Sequence, residues 1–197
     1  MSKIKGSGKG TRKETIVKAA AALFKEKGYG AASMRDLAEK VGVEAASLYN
    51  HIRSKAEILQ EICFGIANEF IVYMDEVENS KLTDLQKVEH ILRKHIQMMI
   101  TRHERVYVAD HEWKHLPEPY YSNFHNQRRT YRKRFTAIIE KGIKSGQIKS
   151  IDAPTAVIIL LQSVNGIESW HRSNHRISAA ALEENMVSIL IEGIKKK

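Results

Sequence analysis

The run His111-Glu112-Trp113-Lys114-His115 holds the residue types and spacing that most resemble a catalytic motif. It matches H-E-x-x-H, which on a helix places two imidazoles on one face as zinc ligands, with the glutamate as a general base. Pro117 would end such a helix at once, and Glu118 and Tyr121 stand where the longer form of the motif has glycine and histidine. We therefore assign no catalytic residue, metal ligand or cofactor. A metal-binding protein or zinc hydrolase built on this motif is kept as the alternative interpretation.

Arg128 is a second residue whose position suggests chemistry. Its spacing places it on the apolar stripe that Phe124 and Tyr131 form along a predicted helix. An arginine facing a core is costly unless it is paired. It therefore either meets an acid such as Asp110 or Glu112, or faces a cavity and binds the carboxylate or phosphate of a ligand. We predict that Arg128 faces a ligand cavity.

Positive charge is concentrated at the N-terminal end of the chain. The 197 residues contain 32 Lys and Arg against 23 Asp and Glu, a formal net charge of +9. Eleven of the basic side chains but only five of the acidic ones lie in residues 1–53. This asymmetry favours an anionic partner such as nucleic acid, docked on the first quarter of the chain.

Composition excludes several classes of protein. With 43% hydrophobic residues the chain can build a core, which argues against a mainly disordered protein. Cys63 is the single cysteine and cannot form an intrachain disulfide. Residues 1–10 lack the apolar segment of a signal peptide. The longest strongly apolar run, residues 156–161, is far shorter than the roughly 20 residues of a membrane span. We expect a soluble, cytoplasmic protein with no membrane partner.

Apolar residues recur at helical spacing along nearly the whole chain, which predicts an all-α fold of about nine helices. Three short helices come first. The first ends at Gly28, the second is capped by Ser33 and ends at Gly42, and the third runs from about Glu44 to about Tyr49 or His51. Such a compact helix, glycine turn and helix is typical of a helix-turn-helix head.

Six further helices are predicted after residue 54. The sixth covers about residues 103–115, and the seventh runs from about Tyr120 and ends at Gly142. The eighth begins at Pro154 and is interrupted at Asn165-Gly166, and Ser178 caps the ninth. A polar notch beside a glycine suits either a cavity wall or a close contact between helices.

Three spaced segments resemble the tetracycline-repressor (TetR) family of bacterial transcription regulators: residues 16–29 (IVKAAAALFKEKGY), 33–43 (SMRDLAEKVGV) and 47–59 (SLYNHIRSKAEIL). Ile52 stands where the family more often has Phe, an apolar exchange that keeps the core. Residues 120–172, with an arginine-rich seventh helix and GIESWHR at 166–172, are similar to the subgroup that senses coenzyme A thioesters. The resemblance implies a flexible basic tail (1–10), a helix-turn-helix DNA-binding domain (11–54) and an effector-binding and dimerisation domain (55–197).

The first residues of the third helix should reach base edges in the major groove. Two of them are alanines, which can touch a thymine methyl but cannot hydrogen-bond, so direct readout of bases should be sparse. The resemblance implies phosphate contacts from Tyr49 and His51, and a phosphate or base contact from Arg35. The tail could also lie along a groove. The predicted DNA contacts are Arg35, Ala45, Ala46, Ser47, Tyr49, His51 and Lys55.

The effector cavity should be lined by large side chains of the C-terminal helices together with the polar notch. The predicted lining residues are Phe70, Met99, Tyr107, Trp113, Phe124, Arg128, Tyr131, Asn165 and Trp170. The eighth helix is apolar nearly all round, which favours a dimer contact through the predicted eighth and ninth helices. The predicted interface residues are Leu160, Leu182, Met186 and Ile189.

Together these features predict a homodimeric transcription repressor that binds double-stranded DNA at a palindromic operator. A small hydrophobic effector, acyl-CoA-like and anionic, would release it from the operator.

Overall fold

The structure is a computed structural model that describes residues 12–173 and 177–196. The basic tail at residues 1–10 lies outside the described part. Within it the chain forms ten α-helices and one 3-10 turn, Trp113–His115. The helices are α1 (Arg12–Lys27), α2 (Met34–Val41), α3 (Ala45–Tyr49), α4 (Lys55–Glu78), α5 (Asp84–Thr101), α6 (His103–His111), α7 (Tyr120–Lys144), α8 (Ala153–Asn165), α9 (Ile167–Arg172) and α10 (Ala179–Ile194). The predicted all-α fold is confirmed.

Helices α1 to α3 form an N-terminal head. The Ser33 hydroxyl accepts a hydrogen bond from the backbone N–H of Asp36, whose carboxylate accepts one from the Ser33 N–H, so a capping box starts α2. Gly42, with φ of +74°, ends it in the left-handed region that favours glycine. The head core consists of fully buried side chains from all three helices, among them Ile16, Ala20, Phe24, Leu37 and Leu48, together with Ile52 from the segment after α3.

Helices α4 to α10 form the body. The 24-residue α4 packs on α5, α6 and α7, and α10 packs on α5. Val187 and Ile191 are the buried residues of α10, and the Lys149 N–H donates a hydrogen bond to the Ile194 carbonyl at the end of that helix. Helix α6 also packs on α1, so the head touches the body directly as well as through α4. No described helix combines the length and hydropathy needed to cross a membrane.

Three predicted helix boundaries differ from the structure. Gly142 lies inside α7, which continues to Lys144, and its hydrogen atom faces the Ile148 side chain at a distance that leaves no room for a Cβ. The turn falls instead at Gly146, with φ of +74°. Helix α6 ends at His111, before the 3-10 turn. Gly166 divides the predicted eighth helix into α8 and α9, so the predicted ninth helix is α10.

Candidate functional site

The outward face of the head carries most of the predicted DNA contacts. In α3, Leu48 points into the head core, while Ala46 and Tyr49 are exposed and Ala45 is partly buried. Tyr49 is 53% exposed, so its side chain is not part of the head core. Arg35 and His51 are exposed and Ser47 is partly buried. The predicted contacts other than Lys55 therefore lie on or beside one accessible helix.

The ammonium group of Lys55 is not available to DNA, contrary to the prediction. Its Nζ donates hydrogen bonds to the carbonyls of Tyr29 and Ala32, each at 2.7 Å, and lies 4.4 Å from the centre of the Tyr29 ring. A phosphate contact would have to break these bonds. The turn between α1 and α2 exposes carbonyls toward the start of α4, which the spacing of residues along the chain does not reveal.

Two exposed residues beside the predicted contacts were missed. Asn50 caps the end of α3, and Arg53 follows two residues after His51. Neither Arg53 nor Arg35 forms an ion pair within the described part of the chain. Asn50 and Arg53 lie between the third and fourth helices, next to Tyr49 and His51, and this position was the available signal.

A cavity of about 330 Å³ lies in the body between α4, α5, α6, α7 and α8. Pockets that bind small ligands begin at about this volume. Its wall is mostly apolar, with a few polar groups. Six of the nine predicted effector residues line it: Phe70, Met99, Phe124, Arg128, Tyr131 and Asn165.

The other three predicted effector residues lie outside this cavity. Helix α6 turns Val106 and Asp110 to the cavity, which leaves Tyr107 facing α1, where its ring stacks on His111 with centroids 4.1 Å apart. Trp113 lies in the 3-10 turn and stacks on Tyr121. Trp170 of α9 donates its indole N–H to the Ile177 carbonyl at 3.1 Å. Size alone therefore did not identify lining residues, because the direction of each side chain depends on the packing of its helix.

Arg128 lines the cavity and is also paired. Its Nη2 lies 2.6 Å from Oδ1 of Asp110, and its Nη1 donates to the Ala109 carbonyl at 3.3 Å. The guanidinium also lies over the rings of Trp113 and Phe124, at 5.5 and 5.9 Å. Arg128 thus faces the cavity and has an internal partner as well, so the two alternatives that the sequence left open hold together. Of the two acids considered, Asp110 is the one it meets.

One residue of a polar pair in the cavity wall was missed: Tyr131 was predicted, but its partner His95 was not. The Tyr131 hydroxyl and His95 Nε2 lie 2.9 Å apart, and the imidazole stacks on Phe70 with centroids 4.1 Å apart. Burial lowers the pKa of His95 to about 3, so the imidazole is neutral at pH 7. Burial also raises the pKa of the Tyr131 phenol. The available signal was a histidine four residues before Met99 on the apolar stripe of α5.

The H-E-x-x-H side chains do not converge on one point. His111 Nδ1 lies 2.9 Å from the Tyr107 carbonyl, while Oε2 of Glu112 accepts a hydrogen bond from the Tyr29 backbone N–H at 3.3 Å. His115 lies in the 3-10 turn, so the two imidazoles do not share a helix face. No cluster of three or more side chains able to hold a metal occurs in the described residues.

The predicted dimer residues differ sharply in exposure. Leu160 is 1% exposed and lies in the core of its own chain, so its predicted place in the interface is wrong. Ile189 of α10 is 71% exposed, and Leu182 and Met186 are half-buried. Helix α8 is apolar all round because one side is buried in the chain while Ile158 and Ile159, at 55% and 56% exposure, face outward.

An N-terminal helix-turn-helix head on a helical body with a ligand-sized cavity defines a class of DNA-binding regulators. The family model described as "Bacterial regulatory proteins, tetR family" matches residues 16–62, and "Tetracyclin repressor-like, C-terminal domain" matches residues 81–194. The chain belongs to the tetracycline-repressor family and is a transcription regulator. Since members of this family are not enzymes, the zinc-hydrolase alternative is wrong.

Individual relatives agree with this assignment. The chain is 26% identical over 190 residues to the transcriptional repressor KstR2 of Rhodococcus jostii, covering 95% of this chain and 93% of the relative. It is 23% identical over 184 residues to the fatty acid metabolism regulator protein of Bacillus subtilis, covering 92% and 95%.

Two solved structures show the same fold. KstR2 of Mycobacterium tuberculosis superimposes with a TM-score of 0.87 at 22% identity, covering 99% of this chain and 100% of that one. AibR, solved in complex with isovaleryl coenzyme A and operator DNA, superimposes with a TM-score of 0.77 at 22% identity, covering 91% and 98%.

Proposed function

We propose that the protein is a homodimeric repressor that binds a palindromic operator and is released from it by an acyl-CoA-like effector. The observation that carries this proposal is the presence, in one chain, of a head with an accessible recognition helix and a body with a ligand-sized cavity. Head and body meet through α1 and α6, so a ligand in the body can bias the position of the head.

At the operator, the two α3 helices of the dimer would enter successive major grooves about 34 Å apart. Ala46 would touch a thymine methyl and Ser47 would bond to a base edge, whereas Tyr49, His51 and Arg35 would contact phosphates. Because α3 offers few hydrogen-bonding side chains, much of the specificity would come from DNA shape and from the spacing of the two heads.

The dimer would form through the outward faces of α8 and α10. Ile158, Ile159 and Ile189 are exposed apolar side chains on these helices, and the half-buried Leu182 and Met186 lie on α10. An exposed apolar surface of this kind marks an interaction site, and a second copy of the chain offers the same surface. Ile158 also lines the cavity, so the partner subunit would sit beside the effector.

The effector would place its apolar group in the cavity and its anionic part outside it. Arg129, Arg132 and Lys133 on α7 are exposed and form no ion pair within the described residues, and Arg132 lines the cavity. By contrast, Arg128 is neutralised by Asp110. An apolar acyl group joined to an anionic carrier fits this arrangement. AibR, with the same fold, was solved with a coenzyme A thioester.

A binding screen tests the effector class. The thermal shift of the full chain would be compared for isovaleryl-CoA and dodecanoyl-CoA, the matching free acids, and coenzyme A alone. We expect a thioester to raise the melting temperature more than its acid or carrier, and to release an operator selected from random DNA. Arg132→Gln should weaken thioester binding by about tenfold, whereas Lys141→Gln, which removes an exposed charge farther along α7, should not. A shift as large with the free acids or with coenzyme A alone would overturn the proposed class.

A further inference from the structure

Tyr29 stands where the DNA-binding head meets the rest of the protein. It follows Gly28, whose φ of +79° ends α1, and it belongs to the turn that leads into α2. Its ring lies edge-on to Phe24 in the head core, with centroids 5.2 Å apart. The position of Tyr29 therefore fixes where the helix-turn-helix begins.

Three side chains outside the head hold Tyr29. The ammonium of Lys55, at the start of α4, bonds to its carbonyl and lies over its ring. The Glu112 carboxylate accepts a hydrogen bond from its backbone N–H. The His115 ring stacks on it with centroids 5.3 Å apart, and His115 Nε2 lies 3.4 Å from the same Glu112 oxygen. One carboxylate oxygen thus joins the head turn to the 3-10 turn.

The segment that carries Glu112 also forms part of the cavity wall. Asp110 lies two residues earlier, in the last turn of α6, and lines the cavity with Ala109. The Arg128 guanidinium binds both the Asp110 carboxylate and the Ala109 carbonyl. A ligand that moves Arg128 therefore acts on the end of α6, within two residues of the group that holds Tyr29.

We propose that Glu112 and His115 form a latch on Tyr29 that transmits the state of the effector cavity to the helix-turn-helix. This proposal rests on the function proposed above. An acyl group that fills the cavity and displaces Arg128 from Asp110 shifts the end of α6, which alters the Glu112 contact and frees the turn before α2. The effect of ligand on operator binding is then the difference in ligand affinity between the latched and released states. Glu112 and His115 are positioning residues that touch neither DNA nor ligand.

The first test needs no ligand. Amide hydrogen exchange of residues 28–32 would be measured in the full chain for Glu112→Met, Arg128→Met and the double variant. Glu112→Met removes the acceptor and should raise exchange of the Tyr29 amide by about tenfold. Arg128→Met should raise the same rate, and the double variant should add little, because both changes act on one connection. Glu140→Met, the same chemical change on the exposed side of α7, is the control.

Two outcomes of this test would overturn the latch. One is unchanged exchange at Tyr29 in Glu112→Met. The other is unchanged exchange at Tyr29 in Arg128→Met while Glu112→Met raises it, since the cavity wall would then not reach the head. Should Arg128→Met fail to fold, Arg128→Lys, which keeps the charge but loses the two-point contact, takes its place.

The second test measures coupling, with isovaleryl-CoA as the probe and an operator selected from random DNA. Operator affinity with and without the probe gives a coupling factor for each variant. Glu112→Met should reduce this factor at least about fivefold, and probe affinity without DNA should not fall, because the ligand no longer has to open the latch. An unchanged coupling factor in Glu112→Met would overturn the proposed latch. If the probe does not bind the wild-type chain, the proposed effector class fails, and the exchange experiment decides the latch independently.

Discussion

The head and the body use their charged side chains differently. In the head, Lys27 pairs with Asp36 at 2.8 Å and Lys40 with Glu26 at 2.9 Å, and these pairs lie on the surface. Exposed pairs of this kind contribute little to stability. In the body, the Arg128–Asp110 pair borders a cavity, and Arg134 ties α7 to α4 by bonding to Glu78.

This difference indicates which substitutions each region tolerates. The head depends on helix caps and a small apolar core, so its outer polar side chains remain available for DNA. The body places polar groups within its packing, where the loss of one partner leaves the other unsatisfied at a high energetic cost. Surface changes in the head should therefore alter binding, whereas polar or core changes in the body should alter stability.

Leu160→Asp should have the largest effect. Leu160 is fully buried between α8 and the body core, so a carboxylate there has no partner or water. We expect a loss of at least about 4 kcal/mol in the free energy of unfolding. Chemical denaturation followed by circular dichroism measures it. A stable, folded monomer would instead show that Leu160 faces the subunit interface and not the core.

Ile189→Asp changes an exposed residue of α10 and should leave the monomer folded. A charge on the proposed interface should separate the subunits, and loss of the second head should lower operator affinity at least about 100-fold. Light scattering at micromolar concentration reports the oligomeric state. An unchanged dimer would exclude this face as the interface, and Glu192→Gln, also exposed on α10, is the matched control.

Arg128→Met should destabilise the ligand-free protein, because it strands the Asp110 carboxylate beside the cavity. We expect a loss of about 1–3 kcal/mol, since both side chains keep some exposure. The melting temperature of the ligand-free protein measures it. An unchanged melting temperature would show that the ion pair contributes nothing to stability.

Tyr49→Ala should weaken DNA binding by about 1 kcal/mol on every sequence alike, because phosphate contacts position the protein without specifying bases. Its stability should hold, since Tyr49 is exposed. Fluorescence titrations with the selected operator and with unrelated DNA compare the two affinities. A change in the ratio of those affinities would assign Tyr49 to base recognition instead.

The smallest expected effect concerns pH. Burial, with the neighbouring His171 and Lys25, lowers the pKa of His103 to about 4, below the value near 6.5 of an unfolded histidine. The unfolded chain therefore binds the proton more readily than the folded chain. The contribution of neutral His103 to the free energy of unfolding is complete above pH 6.5 and is lost as the pH falls toward 4. His103→Phe, which keeps an aromatic ring against His171, should reduce the fall in melting temperature between pH 7 and pH 5. An identical fall in wild type and variant would refute the assignment.

Sequence patterns predicted the head better than the body. Ser33, Gly28 and Gly42 act through contacts within a few residues, so their roles in starting and ending helices follow from their neighbours in the chain. Lys55 was the exception, because its partners lie 23 to 26 residues earlier. For most of the residues predicted to contact DNA, exposure could be predicted from the helices of the head alone, without knowing which distant segments pack against them.

The body shows where sequence patterns were insufficient. The apolar stripe of α7 correctly placed Phe124, Arg128 and Tyr131 at the cavity. It could not show that Asp110 pairs with Arg128, because those residues are 18 positions apart. Nor could side-chain size place Tyr107 or Trp113, because the direction of each depends on how α6 and the 3-10 turn pack.

Local patterns in the chain were enough to predict the helical fold and the helix-turn-helix head, because caps, glycine turns and apolar periodicity act through near neighbours. The family followed from the resemblance of three segments within residues 16–59. The packing of the folded chain, by contrast, selects which polar groups satisfy one another. It paired Arg128 with Asp110, buried Leu160 within its own chain, and turned the Glu112 and His115 of a zinc-like motif toward Tyr29. These partners are brought together by packing between helices that are distant in sequence, and the free energy of such contacts depends on that packing.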